Sequence, residues 1–296
     1  MSFTATNLRC DCHVHVFDPV RFPYAAGRGY TPGAAPLDAL LGLQARLNMG
    51  RVVLVQPSAY GIDNRALLDA LAVMTQASGA NRARGLVVLD LADTPGEALA
   101  ALHLQGVRGI RLNLEVQGLH DPVAAAALVR QAGQLAAPLG WSLQLHAPLR
   151  LVAALAPQLA DLSVPVVLDH FAGARTWQSA EQASDMDTLL CLLRGGTVYV
   201  KLSAPYRISR QADYADVAAL AQTLIAAAPQ RMLWGSDWPH TGASATRTGD
   251  LSQIEPFRPE DALRTLGLLD DWAPDAATRQ QILVDNPAQL YGFAAC

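Results

Sequence analysis

Lysine is almost missing from this sequence: Lys201 is the only one, and the other 21 of its 22 basic residues are arginines. A chain that uses arginine nearly everywhere and keeps one lysine marks that position as a candidate for chemistry. There is no basic cluster either. The formal net charge is -4 and the isoelectric point is near 5.9, which argues against nucleic acid as a partner, because phosphate recognition needs concentrated positive charge. Charged residues make up only 16% of the chain, yet no uninterrupted apolar run reaches the roughly 18 residues of a membrane span, so no membrane partner is expected. Cysteine is scarce, 4 in 296 residues. Two of these sit close together as Cys10 and Cys12, which does not resemble a disulfide framework; both read as buried structural thiols. The opening residues lack a charged segment followed by an apolar one, so no signal peptide is read and the cytoplasm is the expected location. What remains is 51% hydrophobic, enough for a large core, and excludes a disordered or fibrous chain.

That core has a rhythm. Short β-rich runs occur at Leu8–His15, Arg51–Gln56, Gly85–Asp90, Val107–Asn113, Trp141–His146, Val164–His170, Thr197–Ser203 and Arg231–Asp237, and their ends lie 23 to 41 residues apart. Parallel strands need crossovers of this size, usually helical. Segments with helical apolar spacing lie between them, clearest at Leu37–Leu47, Asn64–Met74, Pro122–Leu135, Leu149–Leu159 and Tyr214–Ala227. Eight strand–helix units predict an α/β fold, a (β/α)8 TIM barrel, as a single domain over residues 1–296. The alternative, an open doubly wound sheet, lacks a G-x-G-x-x-G after its first strand. Thr241–Pro259 has no period and reads as a long loop at the active end. Asp285–Phe293 is expected to pack back on the barrel.

Alternation along each strand assigns faces. Asp11, His13 and His15 fall on one face of the first strand, opposite Leu8, Cys10, Cys12 and Val14, and the polar set is expected to point inward. Arg111 with Asn113, Gln144 with His146, Lys201 with Ser203, and Gly235 with Asp237 share inner faces in the same way. These polar residues gather at the C-terminal strand ends, where barrels of this kind build their active sites.

His13 and His15 place two imidazoles about 7 Å apart at the backbone, a spacing that suits two ligands of one divalent cation. With His146 and Asp237 they make a mixed nitrogen and oxygen set for zinc or manganese. Read without a metal, the same residues with His170 form a hydrogen-bonded catalytic cluster. Asp237 is the candidate general base, tuned upward by burial and downward by imidazoles or a cation. Arg111 and Arg207 are candidates to grip a substrate carboxylate. Gln56, Ser58 and Tyr60 in the second strand–helix loop, together with His240, are candidates for substrate contact or for shaping turns. Lys201 either touches substrate or pairs with a carboxylate beneath the site.

The chain resembles the amidohydrolase superfamily of TIM barrels. The resemblance rests on Asp11-Cys12-His13-Val14-His15, Val55-Gln56-Pro57-Ser58, Val107 to Arg111, Leu168-Asp169-His170, Val200 to Ser203 and Trp234 to His240, and covers nearly the whole chain. It is similar in particular to the branch that includes 2-pyrone-4,6-dicarboxylate lactonase and the muconolactone and sugar-acid lactonases. The resemblance implies a lactone-opening hydrolase in which His13, His15, His170 and Asp237 surround the scissile ester and Asp237 takes a proton from water. Members of this branch work with or without a metal, which implies one divalent cation, weakly held or absent. The dicarboxylate enzyme has an arginine shortly after its Asp-His motif and a second one after the Arg-x-Asn; here Phe171-Ala172-Gly173 and Leu114-Glu115-Val116-Gln117 stand there, which departs from that substrate. The expected partner is a small lactone or carboxylic acid, with no sequence signal for any oligomeric state. A metal-dependent non-oxidative decarboxylase is the alternative reaction on the same scaffold. A non-catalytic binding barrel is disfavoured by the cost of burying so many titratable groups at one mouth.

Overall fold

A computed structural model describes residues 7–78, 81–176, 180–242 and 249–294. Ten strands occur in it: β1 (Cys10–Val14), β2 (Thr31–Pro32), β3 (Arg51–Val55), β4 (Ala83–Val87), β5 (Val107–Asn113), β6 (Ser142–His146), β7 (Val166–Leu168), β8 (Val198–Ser203), β9 (Met232–Gly235) and β10 (Ile254–Glu255). Eight of them pair in parallel in the order β1-β3-β4-β5-β6-β7-β8-β9. The ring closes where Asp237 N–H donates to His13 O and His15 N–H donates to Trp238 O, both at 2.9 Å. This is the TIM barrel the spacing predicts.

Apart from β5, which matches its run, the barrel strands are shorter than the β-rich runs, and one is displaced. β4 starts at Ala83 instead of Gly85 because its base is anchored by polar residues: Val52 N–H donates to Arg82 O, and the buried Arg84 guanidinium donates to the carbonyls of Tyr291 and Gly292. β7 and β9 stop early because His170 and Asp237 take left-handed backbone conformations, φ 50° and 60°, which end the extended chain. The expected helix over Leu149–Leu159 divides into Leu149–Ala154 and Ala156–Ala160, with Pro157 in the first turn of the second. Helices at Gly96–Leu104 and Ala180–Gly195, whose apolar stripes are weak, complete the outer ring.

Two apolar layers result. Leu54, Ile110, Leu143, Val200 and Trp234 pack outward with helix residues such as Leu67, Val129, Leu193 and Leu224. Val53, Val55, Leu86, Val167, Tyr199 and Leu233 form a separate inner cluster together with Tyr291 and Phe293 of the terminal segment, which packs back on the barrel.

The first strand departs from strict alternation. Cys10 and Cys12 belong to the inner cluster, whereas Asp11 turns the other way and accepts from Gln44 of the helix Leu37–Arg46 at 3.1 Å. The cause is a β-bulge: Asp11 pairs with Val52 and Val14 with Leu54, so Cys12 and His13 together oppose the single residue Val53. Two residues against one shift the phase of the strand. Cys12 therefore lines the interior floor while His13 and His15 remain available to the site above it.

Part of the Thr241–Pro259 loop, residues 243–248, lies outside the described residues, as does Cys296. The remainder carries β10, which pairs in parallel with β2 of the first loop. Arg28 and Thr31 both donate to Leu251 O, tying the first loop to the last across the mouth. No helix among the described residues is long and apolar enough to cross a membrane.

Candidate functional site

Asp237 stands at the C-terminal end of β9 with its two carboxylate oxygens in different surroundings. Oδ2 accepts from the Tyr206 hydroxyl at 2.5 Å and from Arg207 Nη2 and Nε at 2.9 and 3.1 Å. Oδ1 has no hydrogen-bond partner although it is buried. It faces three imidazole nitrogens instead: His13 Nε2 at 3.4 Å and His15 Nε2 and His170 Nε2 at 3.9 Å each. Burial alone would raise this carboxyl, but the Arg207 guanidinium and the neighbouring imidazoles hold it well below the usual carboxylate range. Since burial pushes His13, His15 and His170 down to about 3, those imidazoles are neutral at pH 7, and the fixed guanidinium is what keeps Asp237 ionised there.

Each imidazole is held from behind. His15 Nδ1 lies 2.7 Å from Val55 O. A carbonyl only accepts, so Nδ1 carries the proton and Nε2 presents a lone pair to the site. His170 Nδ1 lies 2.9 Å from Ser203 Oγ. His13 Nδ1 has two neighbours, Lys201 Nζ at 3.1 Å and Asp169 Oδ1 at 3.2 Å. Beneath it, Lys201 is fully buried, 3.3 Å from Asp169 Oδ1, and donates to Gln144 Oε1; Gln144 Nε2 donates to Asp169 Oδ2 at 2.9 Å.

A cavity open to solvent lies above this cluster, lined among others by His15, Arg111, Asn113, His170, Arg207 and Asp237, with Ser58 and Tyr30 at its side. Arg111, on β5, donates from Nη1 to Gln56 O at 2.7 Å and leaves a buried Nε without a partner. His146 also lines the cavity, its ring edge-on to His170 at 5.0 Å between centroids.

Other residues singled out from the sequence lie elsewhere. Lys201 is under the cavity floor. Gln56 turns its amide to the carbonyls of Gly61 and Asp63. Tyr60 accepts from Asp18 N–H at 2.8 Å and packs with Phe17 and Tyr24. His240 is buried edge-on to the Tyr206 ring. Sequence reasoning passed over Tyr206, Asp169 and the support role of Gln144. The last two were visible as the residue before His170 and as an inner-face polar residue of β6; Tyr206 had only its place beside Arg207.

The donor set fits a divalent cation. His13, His15 and Asp237 offer ligand atoms within 4.8 Å of one another, and His13, Asp169 and His170 form a second such group; His146 belongs to neither. Two of these atoms, His13 Nε2 and Asp237 Oδ1, are buried and unpartnered while facing each other, and the lone pair of His15 points the same way. A metal ligand whose other ring nitrogen is fixed by a carboxylate, carbonyl or hydroxyl is the usual arrangement in protein metal sites.

Comparison with known proteins gives a consistent result. The family model described as Amidohydrolase matches residues 10–293. The chain is 34% identical to a 4-sulfomuconolactone hydrolase of Hydrogenophaga intermedia, over 96% of this chain and 89% of that one. It is 33% identical to a 2-pyrone-4,6-dicarboxylate hydrolase of Comamonas testosteroni, over 95% and 89% respectively. Among solved structures, a probable 2-pyrone-4,6-dicarboxylic acid hydrolase of Acinetobacter baumannii with citric acid bound superposes with a TM-score of 0.78 at 27% identity, covering 97% of this chain and all of the other.

Proposed function

This chain belongs to the amidohydrolase family, and from that membership we propose that it hydrolyses the ring ester of a small acidic lactone. The observation that carries the reading is the divided environment of Asp237, with Oδ2 fixed by Tyr206 and Arg207 and Oδ1 free among imidazoles at the cavity floor. A carboxylate held in this way is oriented to take a proton from one water and from no other direction. That water attacks the acyl carbon, the bond from acyl carbon to ring oxygen breaks, and the proton on Asp237 passes to the departing oxygen. The product is a hydroxy acid. In the tautomer in which the Ser203 hydroxyl donates to Nδ1, His170 presents an Nε2–H to the oxygen on which charge develops. His15 cannot do so, because its only ring proton is given to Val55.

Arg111 supplies the affinity for acids. It is the cavity arginine with a buried donor to spare, and a guanidinium is suited to a carboxylate. The named relatives are hydrolases of 4-sulfomuconolactone and of 2-pyrone-4,6-dicarboxylate, and the bound citric acid of one structural neighbour is a polycarboxylate. A zinc or manganese ion would be held by His13, His15 and Asp237, weakly rather than tightly. The chemistry such an ion would supply there is Lewis-acid polarisation of the ester carbonyl.

A panel of acidic and neutral lactones followed with a pH indicator tests the reading. Acid release with the acidic members supports it. Release of CO2 from aromatic or muconate-type acids without ring opening would favour the decarboxylase instead, and silence in both assays a binding protein.

A further inference from the structure

His13 Nδ1 has one proton position and two claimants on it. Lys201 can only donate, and Asp169 can only accept. The Lys201 contact, at 3.1 Å, has hydrogen-bond alignment. Asp169 Oδ1, at 3.2 Å from the same nitrogen and 3.3 Å from Lys201 Nζ, is close enough for charge interaction with both, yet it has no aligned hydrogen bond. If Nδ1 accepts from Lys201, the ring proton is on Nε2, facing Asp237 Oδ1 at 3.4 Å. If Nδ1 donates to Asp169, the proton leaves Nε2 and its lone pair faces the site. The first arrangement gives a hydrogen-bond donor; only the second gives a metal ligand.

We propose that Lys201 acts as a brake on the metal site: it holds His13 in the Nε2–H form, and a cation binds only by displacing the Lys201 hydrogen bond in favour of Asp169. Lys201 is thus a positioning residue, acting through His13. This accounts for the one lysine of the chain standing fully buried between Asp169, Gln144 and His13, away from the cavity lining. A second cost falls on the metal: the Lys201 ammonium remains within the same buried cluster as the cation and repels it. The inference rests on the metal-site assignment of the preceding reading, but not on the choice of lactone as substrate.

The two members of one buried ion pair then have opposite effects. Lys201→Met should tighten zinc binding roughly tenfold or more, and Asp169→Asn should loosen it by about 10- to 100-fold, the usual range for residues behind a metal ligand. A merely structural pair would move both variants in the same direction. Zinc affinity, read by competition with a coloured chelator on the purified full chain, measures this without any lactone, so a failure of the lactone reading and a failure of this one are separable. Weaker or unchanged zinc binding in Lys201→Met would overturn the proposal. Because that variant leaves Asp169 unpaired and could fail to fold, the wild-type protein offers an independent test. Histidine nitrogen NMR of the metal-free enzyme should find His13 with its proton on Nε2, moving to Nδ1 when zinc is added. A proton already on Nδ1 before zinc would overturn it equally.

Discussion

Arg111 and Arg207 both reach the cavity, and by sequence both were candidates to grip a substrate carboxylate, but their hydrogen bonds differ. Arg207 uses Nε and Nη2 on Asp237 and a further bond on Thr241 O. Arg111 gives one bond to Gln56 O and keeps its buried Nε free. Arg207→Met should therefore lower kcat on acidic and neutral lactones alike, since it loosens the base. Arg111→Met should raise KM for acidic lactones by roughly tenfold or more, the worth of a charge-assisted hydrogen bond, and leave neutral ones nearly unchanged. Steady-state kinetics on one lactone of each kind separates the two roles, and equal KM effects in Arg111→Met would remove it from substrate binding. Asp237→Asn keeps the shape and loses the charge. Its kcat should fall at least roughly 10²-fold, the ordinary scale of general-base catalysis; a loss under threefold would exclude Asp237 as the base.

At the level of elements, the site depends on how closely β9 approaches β1. A Cβ on Gly235 would lie 2.7 Å from His13 Cβ and 2.9 Å from His13 N. The second of these is backbone and cannot swing aside. Gly235→Ala should destabilise the fold by about 1–3 kcal/mol, as overpacking does, and displace His13. In thermal melts and kinetics together, kcat should drop even at temperatures where the variant remains folded; full activity in a folded variant would contradict this. The eight-strand order was legible in the sequence because strand-to-strand spacing survives any local irregularity. The inner faces of β5, β6 and β8 were legible because Arg111, Gln144 and Lys201 follow strict alternation. The face of β1 was not, since a bulge leaves no mark in the period of Asp11 to His15: it adds one residue to one strand without changing composition. Tyr206 and Asp169 were hidden for another reason. Their roles come from contacts across 31 and 156 residues of chain, to Asp237 and His13, which no local pattern encodes.

For the molecule as a whole, the buried cluster links folding to pH. His13, His15 and His170 sit at about 3 in the folded chain, against 6.5 for a free imidazole. Between those values the unfolded chain binds more protons than the folded one, so stability is complete above about pH 6.5 and falls as pH drops toward 3. Asp169 and Asp237, both held low, act with the same sign over a more acidic range. Denaturant midpoints should be lower at pH 5.5 than at pH 7.5; an equal or higher midpoint at pH 5.5 would mean that the imidazoles charge freely in the folded state. The central claim is that water deprotonated at Asp237 Oδ1 attacks the acyl carbon and breaks its bond to the ring oxygen, and isotopic water tests it most directly. A lactone that the enzyme accepts is opened in water enriched in oxygen-18, for a single turnover, and the product is weighed by mass spectrometry. Attack by water on the acyl carbon puts one heavy oxygen in the new carboxylate and none in the new hydroxyl. Label in the hydroxyl, or an unlabelled product from isomerisation, would contradict the account.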